Sequence, residues 1–170
     1  RTRSTKFVLL KPTAHLHNRG VGTTQEPVVG RTIAYGEVCA TVVLVHSAVT
    51  PDTQEWAGYV ERLASYNPTG PRTLLVVTAG GAPNAAQRRA LFKLGYDEFV
   101  VAVITGSMFH RGIITAIGWG GAKIRGYRPS EIDVARTFLD RQPAEWSSLR
   151  SLADDLQEKL RMVAPRPMPQ

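Results

Sequence analysis

One cysteine, Cys39, is the chain's whole stock of thiols, so no disulfide can form within it. Lying in an apolar run, it reads as a small buried hydrophobe in a reducing compartment, and a cytoplasmic location is expected. No uninterrupted apolar run reaches the roughly 18 residues that a membrane-spanning helix requires. A secretory signal peptide is also missing, while the start at Arg1 rather than Met reads as a processed protein or a fragment of a longer one. Neither of the common nucleotide signatures, GxxxxGK followed by Ser or Thr and GxGxxG, occurs, which removes the specific signals for ATP and dinucleotides. Metal ligands are sparse too. His15 and His17 stand on an H-x-H spacing, but a site needs three or four ligands and no further His or Cys lies near them. Solvated histidines are the simpler reading, and neither a metal nor a cofactor is expected.

Acidic residues are missing from both ends. Residues 1–25 carry Arg1, Arg3, Lys6, Lys11 and Arg19 with no acid, and residues 161–170 carry Arg161 and Arg166 with no acid. Residues 26–160 balance 14 basic against 14 acidic side chains, so these seven residues account for the whole net charge of +7. A body without net charge is a poor match for nucleic-acid grooves, and no specific nucleic acid is expected as a partner. The basic ends suit contact with an acidic surface, or serve solubility alone.

What the chain does contain suits one domain, since 170 residues at 43% hydrophobic fall in the size range where roughly 70% of the unfolded surface is buried. Its organising stretch is residues 72–94. Leu74, Leu75, Val76 and Val77 form a short apolar run with the look of a strand covered on both faces. Gly80 and Gly81 allow a sharp turn, and Asn84 with Gln87 three residues on has the form of a capping box for a helix. Upstream, residues 31–35 and 38–46 predict two antiparallel strands joined at Gly36. Thr50 then reads as the cap of a helix with Pro51 first and Trp56, Tyr59, Val60 and Leu63 on one buried face. Downstream, residues 99–105 predict a second buried strand, Ser107 caps an apolar helix to about residue 118, and residues 122–127 close the sheet. Ser130 and Asp133 open a further helix, and a last one over about residues 144–162 carries Leu149, Leu152, Leu156 and Leu160 at spacings of three and four. Three prolines mark the extended end at residues 164–170.

The order strand, strand, helix, strand, helix, strand, helix, strand, helix with an opening hairpin resembles the STAS family of sulfate-transporter and anti-sigma-factor-antagonist domains. Three patterns also look like STAS-like bacterial proteins often grouped with lipid-binding CRAL-TRIO domains: the junction TAGGAPNAAQR at 78–88, the helix RGIITAI at 111–117 and the close IRGY at 124–127. The resemblance implies an α/β fold with a mixed sheet of about five strands, an opening antiparallel hairpin, about four helices and an extra C-terminal helix. It divides the chain into a basic extension (1–30), a STAS-like domain (31–142), an added amphipathic helix (143–163) and a proline-rich tail (164–170). It also implies a noncatalytic regulatory or scaffold module that binds a partner protein in bacterial signalling or assembly. Phosphorylation-switched members place a serine in an Asp-Ser motif after the central strand; here Gly81-Ala82-Pro83-Asn84 stand instead, so that switch does not carry over.

Three sets of candidate residues remain open. Gly80, Gly81, Asn84 and Arg111 lie at helix starts, where unpaired N–H groups favour a phosphate or lipid headgroup; a bare turn with solvated helix faces is the simpler reading. Ser107 and His110, one turn apart, are the enzyme-like pair of a hydrolase reading, but GxSxG is lacking and Ser107 is more simply a cap. The stripe Leu149, Leu152, Leu156 and Leu160 is either a seam for a protein partner or a second copy, or a face packed on its own domain. His46, at the end of a strand, could share the rim with Ser107 and His110 but reads more simply as a hydrogen-bonded core-edge histidine.

Overall fold

The structure, a computed structural model, describes residues 26–65, 73–95, 98–108, 111, 114 and 123–163. The expected apolar runs form one mixed sheet: β1 (Val28–Val29), β2 (Ile33–Val38), β3 (Thr41–His46), β4 (Thr73–Thr78), β5 (Val100–Thr105) and β6 (Lys123–Tyr127). Spatial order follows chain order. The first two pairings are antiparallel and the next three parallel, so the sheet opens as a hairpin and continues as an α/β fold. The strand beyond the expected five is β1, whose two residues are too few to show alternation. It carries the sheet back to Val28, inside the segment assigned to the basic extension. Among the described residues the helices are α1 (Thr53–Ser65), α2 (Ala85–Phe92), α3 (Ile132–Phe138), reached through a 3-10 turn at Pro129–Glu131, and α4 (Pro143–Val163); most of the helix expected over residues 108–118 lies outside them. Among the described residues no helix is long and apolar enough to cross a membrane.

Two boundaries differ from expectation for local reasons. The hairpin turns at Cys39-Ala40, between the paired Val38 and Thr41, while Gly36 lies inside β2. Both turn residues have positive φ, 50° and 51°, the backbone that two-residue hairpins want and that Asn-Gly normally supplies. Neighbours hold this unusual pair in place: Thr73 Oγ1 donates to the Ala40 carbonyl at 3.1 Å, Arg141 Nη1 donates to that of Cys39 at 3.3 Å, and Arg141 Nη2 reaches Thr73 Oγ1 at 2.7 Å. Helix α1 is capped by Asp52, not Thr50, because the Asp52 carboxylate accepts from the amides of Gln54 and Glu55 at 2.8 and 3.3 Å.

One turn into α1, Glu55 braces the helix to the sheet. Its carboxylate accepts from the amides of Arg31, Thr32 and Ile33 at 2.6, 2.8 and 3.2 Å and from Thr32 Oγ1 at 2.6 Å. Burial pushes this carboxyl up, but the four hydrogen bonds outweigh it and hold it below its ordinary value. Hydrogen bonds to a charged group contribute roughly 1.5–3 kcal/mol each when intact.

Alternation along the strands divides the core into two layers. Ala34, Val43, Val45, Leu75, Ala102 and Ile104 face α3 and α4, while Ile33, Val42, Leu44, Leu74, Val76, Val101 and Val103 face α1 and α2. Trp56, Tyr59 and Leu63 of α1 are buried in the second layer, as their spacing predicts. In the first layer Leu149, Leu156 and Leu160 are 0%, 0% and 3% exposed, packed with Trp146 and Ala153 on their own sheet. Leu152 is partly buried beside them. The expected partner seam is thus intramolecular core: without α4 an apolar sheet face would meet water, at roughly 2 kcal/mol for each leucine left exposed.

Candidate functional site

The turn after β4 is closed by its own hydrogen bonds. Thr78 Oγ1 donates to the Gly81 carbonyl at 2.6 Å and accepts from the Gly80 amide at 3.0 Å. Gly80 has φ +129°, and a Cβ on Gly81 would overlap the carbonyl oxygens of Ser47 and Val49, so both glycines answer to backbone geometry. The Gly81 amide donates to Ser47 O at 2.9 Å. The capping box forms as expected, with the Asn84 side chain accepting from the Gln87 amide at 3.0 Å and the Gln87 side chain accepting from the Asn84 amide at 2.8 Å. The amides of Gly80, Gly81 and Asn84 are therefore engaged inside the protein. Arg111, on the segment between β5 and β6, donates from Nη1 to Thr105 O at 2.9 Å. The four residues expected to share an anion each have other work.

Ser107 behaves as a helix start: its carbonyl accepts from the Arg111 amide at 3.2 Å, and its own amide donates to Thr105 Oγ1 at 3.2 Å. His110 lies outside the described residues, as do residues 1–25, with His15 and His17, and residues 164–170. Among the described residues no three His, Cys, Asp or Glu side chains gather as a metal site.

The structure instead hollows out the space beneath the 81–83 loop. A cavity of about 210 Å³ lies between the sheet and α2, floored by Leu44, Val76, Val101 and Val103 and roofed by Gly81, Ala82, Pro83 and Leu91. Exposed Arg88 and Phe92, on α2, stand where it meets solvent. Trp56, Phe99, Ile114 and Ile124 complete a mainly apolar lining, in which His46, Trp56, Thr78 and Arg88 are the residues that carry polar side-chain groups.

Three of the four are engaged. Trp56 Nε1 donates to Gln87 O at 3.1 Å, the Thr78 hydroxyl to Gly81 O, and Arg88 Nη1 to Pro83 O at 2.7 Å. His46 differs. It is 4% exposed, its ring lies at a tilt 5.9 Å from that of Trp56, and its Nδ1 is buried without a hydrogen-bond partner. Burial lowers its pKa to about 4, so the imidazole is neutral at physiological pH. An unsatisfied buried polar atom costs roughly 1–3 kcal/mol, which marks the position as something other than optimal packing.

A signal for this site was present in the chain. Three of the four parallel strands end alike, as Val45-His46-Ser47, Val77-Thr78-Ala79 and Ile104-Thr105-Gly106, and the register sets His46 beside Thr78 and Thr78 beside Thr105. Ligands of open α/β sheets bind outside the carboxyl ends of the strands where the strand order reverses; this sheet runs in consecutive order, and the polar row shares only the strand-end position. Comparison with known proteins finds no matching family model, curated protein or solved structure.

Proposed function

We propose that the chain is a noncatalytic regulatory module whose input is a small, mainly apolar molecule held between the sheet and α2. The supporting observation is the cavity of about 210 Å³ with apolar walls and one unsatisfied imidazole. Small-molecule sites are concave, mainly apolar and provided with few polar groups, and this site has that chemistry. It occupies the helix-start region of a headgroup-binding reading, but its walls favour hydrocarbon over phosphate. A module of this kind fits the STAS-like order of elements, with ligand occupancy read by a protein partner.

The test is methyl NMR of the full chain at neutral pH with naphthalene and decanol as probes. Saturable shifts at Val76, Leu91 and Val103, with Leu149 and Leu156 unmoved, are expected. If neither probe moves the first set selectively, the reading fails. Turnover of an ester and phosphoester panel that disappears in Ser107→Ala would replace the noncatalytic reading with a hydrolase.

A further inference from the structure

We infer that the ligand is a flat one- or two-ring aromatic molecule bearing a single hydroxyl or ring N–H group, anchored through that group by the imidazole of His46. The inference deepens the pocket reading above and rests on it. Size comes first: an apolar cavity of about 150 Å³ holds benzene, so the volume of about 210 Å³ here suits a somewhat larger body such as two fused rings. Shape comes next. Trp56, Phe92 and Phe99 lie in the lining, and the His46 ring is part of the same wall. Aromatic rings gain most from aromatic neighbours in offset or tilted contact.

Polarity narrows the class further. Trp56 Nε1 and the Thr78 hydroxyl are engaged with carbonyl oxygens of the protein, and Arg88, with Nη1 on Pro83 O, is exposed on α2, which leaves the imidazole to meet a ligand inside the cavity. A neutral imidazole offers one donor and one acceptor, and no protein hydrogen bond at Nδ1 fixes which nitrogen carries the proton. A hydroxyl, able to donate or accept, complements either tautomer; a ring N–H complements the acceptor. A carboxylate or phosphate would instead enter apolar walls in which the one cationic lining residue, Arg88, is exposed on α2. One uncharged polar group on an aromatic body is the chemistry that remains.

The experiment compares 2-naphthol with naphthalene by titration calorimetry on the full chain at pH 7, in wild type and in His46→Phe. The phenyl ring preserves a flat side chain and removes both nitrogens. The ratio of naphthalene to naphthol dissociation constants is expected to fall about tenfold in the variant, the size of one net hydrogen bond. In wild type, the ring ¹⁵N resonances of His46 are expected to move with naphthol and to stay nearly still with naphthalene, a readout that needs no variant. An unchanged ratio, or ring nitrogens that respond alike to both probes, overturns the anchor while leaving the pocket. Failure of both probes to bind wild type overturns the anchor and the pocket together.

Discussion

Ala102 and Val103 are adjacent in β5 and point to opposite faces of the sheet. Ala102 is 0% exposed in the layer sealed by α3 and α4, whereas Val103 borders the cavity beneath α2. The difference comes from what covers each face. On the sealed side α4 supplies 21 residues, with Trp146, Leu149, Ala153, Leu156 and Leu160 buried along it. On the other side α1 buries Trp56, Tyr59 and Leu63, while α2, above the cavity, has eight residues and buries only Gln87 and Leu91. A short helix held at its start by a capping box, with Gln87 Nε2 bound to Pro51 O at 2.8 Å, roofs the sheet without filling the space below. One face serves stability and the other leaves room for a ligand.

The largest test of that contrast is a matched pair of leucine truncations. Leu156→Ala on the sealed face should cost about 3–4 kcal/mol and lower Tm by roughly 10 °C, since a tightly surrounded site relaxes little. Leu91→Ala, whose side chain already borders empty space, should cost about 2 kcal/mol. Urea denaturation of both variants decides it. Equal losses would show that the two faces are packed alike.

A second test uses pH, and among the described residues its main group is the buried histidine of the open face. Burial lowers the pKa of His46 to about 4 from an ordinary 6.5. Between those values the unfolded chain binds the proton and the native state does not, so stability falls as pH is lowered through that window. The full effect is about 3 kcal/mol. Glu55 works at the lower end: its carboxyl is held below the ordinary 4.5, so its contribution is present above that value and is lost as pH falls through the folded value. Stability of wild type minus His46→Phe should therefore decline from pH 6.5 to 4.5 in denaturant titrations. A flat difference would place a charged imidazole in the native state and contradict the apolar site.

Much of this contrast was legible in the chain before any coordinates. The α/β class, the opening hairpin and the buried face of α1 follow from runs and spacings long enough to carry a period. Asn84 and Gln87 declared their capping box because its chemistry is local. What escaped was nonlocal. Nothing adjacent to Glu55 shows that its carboxylate will receive three amides from residues 31–33. The leucines of α4 announce an apolar stripe but not its destination, which only the unfilled sheet face decides. His46 ends its strand as Thr78 and Thr105 end theirs, yet their meaning depends on the register that lines them up.

Enlarging side chains gives a smaller and opposite pair of effects. Ala102→Val adds bulk to the sealed layer and should cost about 1–3 kcal/mol through overpacking. Val103→Leu adds bulk next to the cavity and should be neutral or stabilising by up to about 1 kcal/mol, while weakening naphthalene binding by occupying its space. Thermal melts and the calorimetric titration together separate filling from simple tolerance. A destabilised Val103→Leu with unchanged binding would mean that the cavity does not accept volume at that wall.

The smallest expected effect concerns how residues are dealt to the two faces in the first place. Slipping the hairpin by one residue would turn His46 toward α4 and Val45 toward the cavity, because side chains alternate. The register is set where Val38 pairs with Thr41 across Cys39-Ala40, and both of those residues have the positive φ that L side chains resist. Left-handed backbone costs a residue with a Cβ roughly 1–2 kcal/mol, and glycine escapes most of that cost while adding entropy to the unfolded chain. Ala40→Gly should accordingly stabilise the protein by about 0.5–1 kcal/mol in urea titrations, with naphthalene affinity unchanged because the turn lies at the far end of β3 from His46. A loss of stability instead would show that Ala40 is not held at positive φ, and the register that separates the sealed face from the hollow one would lose its anchor at this turn.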